Sequence, residues 1–121
     1  MSESPVLILS VDRDDDIGFK GAILCPVIGR DECLHAANTL ALVDPEDSDL
    51  NAIFQAVKIY DELKKRGETV EIAILSGNHS DMLEGDRKIA KDLDRIIKST
   101  RSTSCILITD GVEDEYVLPI I

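Results

Sequence analysis

The chain has 121 residues, enough for one hydrophobic core and too few for two. Hydrophobic residues make up 44% and charged residues 31%, a composition typical of globular domains and not of disordered chains. The net charge of −11 and the aromatic content of 3% argue against nucleic-acid binding, because a negative surface repels phosphates and there are few rings on which bases could stack. We therefore expect one domain over residues 1–121, without a nucleic-acid partner.

The first half of the chain is predicted to contain one strand and two helices. A continuous apolar run from Pro5 to Val11 predicts a strand buried on both faces, and the glycine-containing stretch over residues 12–30 predicts a long loop. Residues 30–44 show the apolar periodicity of a helix. A second helix is predicted to begin at Pro45 with Asp44 as its N-cap and to end before Gly67.

The second half is predicted to alternate strands and helices. Residues 69–77 predict the second strand, residues 78–86 a polar loop, and residues 104–111 the third strand. A third helix is predicted between these strands, with Asp86 as its N-cap, and the residues after the third strand predict a further helix. This order predicts an α/β fold, a three-layer Rossmann-like parallel sheet of about three strands in the order 2-1-3, with helices on both faces. A sheet this small would be completed either by further strands beyond Ile121 or by a second copy of the chain in a homo-oligomer.

Acidic residues follow two strands that this order makes neighbours. Ligands of open parallel sheets bind beyond the carboxyl ends of the strands. Hydrated Mg²⁺ takes one or two carboxylates and often a phosphate, so a Mg²⁺ site is predicted at this edge. The alternative is a solvated, highly charged loop. The predicted metal ligands are Asp12, Asp14, Asp110 and Glu113.

Further polar residues near the same edge are candidates for binding a small phosphorylated ligand. His79, in the loop after the second strand, is a candidate general base. The predicted ligand-binding residues are Arg13, Asp16, Arg30, Ser76, Asn78 and Asp114. No P-loop or dinucleotide-binding fingerprint accompanies them, so the residues alone do not predict a reaction.

Several long motifs resemble an archaeal family of uncharacterised predicted membrane proteins. They are LILSVDRDDDIG, PVIGR, DPEDSDLNAIFQAVKIYDELKKRG, DRKIAKDLD and ITDGVEDEYVLPII. The resemblance implies a soluble N-terminal part on the cytoplasmic face, followed by membrane-spanning helices in a longer protein located in the cell membrane. It also implies an acidic pattern over residues 12–16, over residues 44–51 at Asp44, Asp47, Ser48, Asp49 and Asn51, and over residues 110–115.

Three functions remain open from the sequence. The first is a cytoplasmic binding or regulatory domain that binds a divalent cation, with or without a phosphate-bearing ligand. The second is a Mg²⁺-dependent phosphoryl-transfer or hydrolase domain, in which Asp12 and Asp110 would hold the metal. The third is an oligomeric scaffold that uses an open edge of the sheet.

Overall fold

A computed structural model describes residues 5–108 and, for its backbone alone, residues 115–119. The fold is mixed α/β. Its elements, in chain order, are β1 (Val6–Asp12), α1 (Asp16–Gly21), β2 (Val27–Ile28), α2 (Arg30–Val43), α3 (Ser48–Lys65), β3 (Val70–Ser76), α4 (Met82–Thr100), β4 (Ser104–Ile108) and β5 (Glu115–Pro119).

The sheet has five strands in the order β2-β3-β1-β4-β5. The central strands β3, β1 and β4 are parallel and correspond to the three strands that the sequence predicts, in the expected order. The prediction of a three-stranded, all-parallel sheet is wrong, because β2 and β5 are antiparallel to β3 and β4 at its two edges. β2 is too short to show an apolar run, and residues 115–119 form a strand where the sequence predicts a helix.

Helices cover both faces of the sheet, as predicted. Alternate residues of β1 point to opposite faces, so Ile8 packs with α2 and α3 whereas Leu7 and Leu9 pack with α4. Ala37 of α2 and Ile53 of α3 belong to the first core. The second core is smaller, because α4 alone supplies its helical residues within the described part of the chain.

Residues 12–29 are not a continuous loop. They contain α1 and β2, and α1 is short enough to tolerate its two glycines. Asp15 caps α1 in a left-handed conformation with φ 58°, and its side chain accepts a hydrogen bond from Gly18 N at 3.2 Å. A Cβ on Gly18 would lie 2.5 Å from the Asp15 carboxylate, so this cap requires glycine there.

Two helix starts differ from those predicted. α3 begins after Asp47 and not at Pro45, because Asp44 instead closes a turn in which its carbonyl accepts from Asp47 N at 3.2 Å. α4 begins at Met82 with Asp81 as its N-cap, and not after Asp86. The Asp81 side chain accepts a hydrogen bond from Glu84 N at 3.1 Å and so satisfies one backbone amide of the first turn. Position 85 in α4 requires glycine, because a Cβ there would lie 2.6 Å from the backbone nitrogen of Asn78.

Candidate metal centre

Four aspartates from three elements meet at the carboxyl end of β1. Asp12 is the last residue of β1, Asp16 is the first residue of α1, and Asp14 lies in the turn between them. Asp49 comes from the first turn of α3. Each of the four supplies one carboxylate oxygen, and these oxygens all lie within 4.8 Å of one another. We call these four residues the acidic cluster.

The turn after β1 folds back because α1 starts directly over the end of the strand. Asp15 N donates to Asp12 O at 3.2 Å, which closes the turn. Ile17 N, at the start of α1, donates to Oδ2 of Asp12 at 2.8 Å. Because these bonds hold α1 against the strand end, Asp14 and Asp16 lie beside Asp12 and not along an extended loop.

A network of ion pairs positions Asp49. Asp47 caps α3 by accepting a hydrogen bond from Asp49 N at 2.8 Å. Lys20 of α1 binds both Asp47, at 2.6 Å, and Asp44, at 2.9 Å. This lysine therefore fixes the start of α3 against α1, which places the Asp49 carboxylate in the acidic cluster.

The charge at Asp12 is poorly compensated. Asp12 is only 4% exposed, and no described residue donates a hydrogen bond to its Oδ1 atom. Burial, and next the neighbouring Asp14 carboxylate, raise the pKa of Asp12 to about 7. Burial and Asp14 also raise the pKa of Asp16. None of the described ion pairs involves Asp12, Asp14 or Asp16.

Two predicted ligand-binding residues are engaged elsewhere. Arg13 makes a two-bond contact with Asp86 of α4, at 2.9 and 2.8 Å. Arg30 makes the same kind of contact with Asp61 of α3, at 2.7 and 3.0 Å. Neither guanidinium forms an ion pair with the acidic cluster, so each joins two elements of the fold.

The predicted residues that follow β3 lie at the same edge of the sheet. Ser76 is buried and pairs with Asp12 in the register of β3 and β1, and a hydrogen bond joins it to the Cys25 thiol. Asn78 Oδ1 accepts from Ser80 N and Asp81 N and so closes the turn before α4. His79 is exposed and stacks on Phe19 of α1, with 3.8 Å between the ring centroids.

The remaining predicted site residues cannot be placed. Asp110, Glu113 and Asp114 lie outside the described residues, so the expected meeting of two acidic strand ends stays a prediction. The structure does bring together Asp12, Asp14 and Asp16.

Asp49 was not among the predicted metal ligands, although the family resemblance includes it in an acidic pattern. The position of the other three directly after a buried strand was the sequence signal for them, and Asp16 was predicted to bind a ligand and not the metal.

Residues 5–121 match the model of a family described as a domain of unknown function (DUF373). An uncharacterised protein of Archaeoglobus fulgidus is 56% identical over 115 residues, which are 95% of this chain and 33% of that protein. An uncharacterised protein of Methanocaldococcus jannaschii is 44% identical over 115 residues, which are 93% of this chain and 31% of that protein. The chain thus spans about a third of the length of these relatives.

No solved structure matches the chain. Among the described residues, none of the helices combines the length and the apolar character needed to cross a membrane. The membrane-spanning part implied by the resemblance stays a prediction.

Proposed function

The chain belongs to the family described as a domain of unknown function (DUF373), and we propose that this domain binds a divalent metal cation at the acidic cluster. The proposal depends above all on the Oδ1 atom of Asp12. This oxygen is buried, and no described residue donates a hydrogen bond to it. Buried polar atoms in native proteins nearly always have a partner, and a cation would supply one here.

The burial of the cluster argues against a solvated, highly charged loop. Asp12 and Asp49 are 4% and 5% exposed, so water cannot surround both carboxylates. Placing several carboxylates in one buried group is unfavourable unless a proton or a cation neutralises part of the charge. A bound cation would do so above the pKa of Asp12, where protonation no longer can.

The composition of the cluster favours Ca²⁺ over the Mg²⁺ that the sequence predicts. Mg²⁺ keeps several waters and is held by one or two carboxylates, whereas Ca²⁺ takes six to eight oxygen ligands at about 2.3–2.6 Å. Oxygens on opposite sides of Ca²⁺ therefore lie about 4.8 Å apart. The spread of at most 4.8 Å in the cluster fits such an ion. We expect affinities in the order Ca²⁺, Mn²⁺, Mg²⁺.

Calorimetric titration of the metal-free chain with each ion tests the proposal. We expect saturable binding of one Ca²⁺, and a higher unfolding temperature in its presence, because the ion binds only the folded chain. Asp14→Asn removes one cluster charge at an exposed position. It is expected to weaken Ca²⁺ binding about tenfold or more, because changing even a residue behind the direct ligands typically weakens metal binding by about that factor.

Asp15→Asn is the matched control for that substitution. It removes the same charge one position away, and asparagine retains both the cap and the left-handed conformation of Asp15. This variant is expected to bind Ca²⁺ nearly as the unmodified chain does. Equal losses in the two variants would show only a general charge effect, and an absence of binding by the unmodified chain would refute the proposal.

Cation-dependent hydrolysis or phosphoryl transfer is a second candidate, favoured by the place of the cluster at the carboxyl end of central parallel strands. The buried Ser76 lies beside Asp12 there, and the exposed Asp14 opens the cluster to solvent. An assay of p-nitrophenyl phosphate with Ca²⁺, Mn²⁺ or Mg²⁺ tests this candidate, with Asp12→Asn as the inactive variant. Saturable cation binding without turnover would refute the catalytic candidate and would support cation binding as the function.

A further inference from the structure

The face of the sheet that α4 covers has an open place beside this helix. α4 packs mainly against β3, whereas α2 and α3 share the opposite face. Neighbouring strands lie about 4.8 Å apart and packed helices about 8–10 Å apart, so one helix covers about two strands. Among the described residues, no second helix lies beside α4 over β1 and β4. This face is therefore covered only in part.

The open place is a pocket of about 580 Å³ whose lining is mostly apolar. Leu9 of β1 and Leu75 of β3 line it and are 2% and 0% exposed. Val11 of β1 and Leu107 of β4 also line it but are only half-buried, although both pack against the core. Half-buried apolar side chains around a pocket contribute further free energy when an occupant removes them from water.

The charged residues of the lining do not select a charged occupant. Arg13 and Asp86 neutralise each other through their two hydrogen bonds. Asp12 and Asp14 each direct a carboxylate oxygen to the other members of the acidic cluster, which belong to α1 and α3 on the opposite side of the sheet. The pocket therefore offers an occupant mainly apolar contacts.

One flank of α4 forms a wall of this pocket over three helical turns. Its members are Met82, Asp86, Ile89 and Leu93, at the spacing i, i+4, i+7 and i+11 that places side chains on one side of a helix. At 1.5 Å per residue this wall is about 16 Å long. Met82 is 47% exposed, and the adjacent Leu83 is 62% exposed. An apolar groove of this length beside a helix has the shape in which another helix packs.

We propose that this pocket holds an amphipathic helix from another part of the longer family proteins, packed beside α4 and over β1 and β4. The chain spans about a third of the length of the two relatives described above, so each of them has ample chain to supply such a helix. The helices α2, α3 and α4 do not supply it, because each already packs on the sheet of its own chain. The proposal uses none of the oxygens of the acidic cluster and is independent of the cation site.

Fluorescence anisotropy with a labelled helical peptide tests the pocket on this chain. The probe is a peptide of about 14 leucine, glutamate and lysine residues without net charge, with a leucine at every third or fourth position so that one face is apolar. We expect one peptide to bind per chain. A peptide of the same composition, with its leucines spread around the helix, is expected to bind at least about tenfold more weakly, because it cannot bury them together.

Three variants connect peptide binding to the wall of the pocket. Leu93→Gln places a polar group in the wall and should weaken binding about tenfold. Met82→Gln changes a wall residue that is already half-exposed, so the fold should tolerate it, and binding should weaken about threefold. Leu42→Gln is the control, because it makes the same change at a position of α2 that is 89% exposed and outside the pocket.

The complete protein of Archaeoglobus fulgidus tests where the helix comes from. Its own helix is expected to fill the corresponding pocket, so it should bind the labelled peptide at least about tenfold more weakly than this chain does. Equally tight binding by the complete relative would overturn the proposed source of the helix.

Other results would overturn the proposal on this chain. They are an absence of peptide binding, equal binding of the two peptides, and equal binding by the Leu93→Gln and Leu42→Gln variants. A dimer in light scattering that Met82→Gln dissociates would make a second copy the occupant. If Ca²⁺ binds and the peptide does not, the helix proposal fails while the metal proposal stands. The opposite result refutes the metal proposal alone.

Discussion

Asp12 and Asp47 are both buried carboxylates at the end of a secondary-structure element, yet their surroundings are opposite. Asp47 is 7% exposed and accepts hydrogen bonds from Lys20 and from the backbone of Asp49. Burial alone would raise its pKa, but these partners hold the pKa below the usual value. Asp12 is 4% exposed and lies among other carboxylates, and its pKa is raised to about 7.

The difference shows that burial does not by itself set the protonation of an acid in this protein. Asp47 has a cation and an amide as partners, and it holds α3 in place. Asp12 accepts hydrogen bonds from the backbone of Ile17 and Asp16, but no described residue is a donor to its Oδ1 atom. The satisfied oxygens of Asp47 indicate a structural role, whereas the unsatisfied oxygen of Asp12 beside other acids is the feature that supports the proposed cation site.

The largest effect is expected when the satisfied acid is removed. Asp47→Ala deletes the N-cap of α3 and leaves Lys20 without one of its two partners. We expect the free energy of unfolding to fall by about 3 kcal/mol, measured by urea denaturation. Glu46→Ala changes an exposed neighbour and serves as the control, with an expected change within about 0.5 kcal/mol. Similar losses of unfolding free energy in both variants would contradict a specific structural role for Asp47.

The poorly compensated acid should produce an unusual dependence of stability on pH. The ordinary pKa of an aspartate is 3.8, and the pKa of Asp12 in the folded chain is about 7, so between these pH values the folded chain binds a proton that the unfolded chain does not. The metal-free chain should therefore become more stable by about 2 kcal/mol as the pH falls from 8 to 5, the reverse of the usual behaviour of a paired carboxylate. Urea denaturation across this range measures it.

Asp12→Asn is the control for that dependence. Asparagine retains an acceptor for Ile17 N and has no charge, so the gain between pH 8 and pH 5 should largely disappear. Saturating Ca²⁺ should also reduce the gain, because the ion favours the ionised carboxylate. If Asp12→Asn gains the same stability between pH 8 and pH 5, the gain comes from titratable groups other than Asp12. Below about pH 4 stability should fall, since the pKa values of Asp47, Asp61 and Asp86 are lowered in the folded chain.

The smallest effect is expected at the surface. The Arg30–Asp61 pair has good two-bond geometry, but the Asp61 side chain is 44% exposed. Asp61→Asn should lower the free energy of unfolding by less than about 1 kcal/mol, and high salt should reduce that loss. A loss as large as that of Asp47→Ala would contradict the distinction between exposed and buried pairs.

The strands and helices with a strong pattern were predictable from the sequence. The apolar run at β1 and the periodicity of α2 follow local rules, and the structure has both elements close to their predicted bounds. The starts of α3 and α4 were not predictable from the sequence, because Asp44 and Asp86 have the same local chemistry as the true caps, Asp47 and Asp81. Only the turns before these helices distinguish them. β5 was missed because its pairing with β4 is not a local property.

The sequence by itself determined that a group of aspartates would follow the first buried strand, because apolar runs and charges are read from neighbouring residues. It did not determine which oxygens meet. Asp49 lies far along the chain from Asp12, and the ion pair of Lys20 in α1 with Asp47 at the start of α3 helps to place it in the cluster. Arg13, the nearest positive charge in the sequence, could equally have neutralised the cluster. The packing of α4 gives it Asp86 as a partner instead, and none of the described ion pairs joins Arg13 to the acidic cluster.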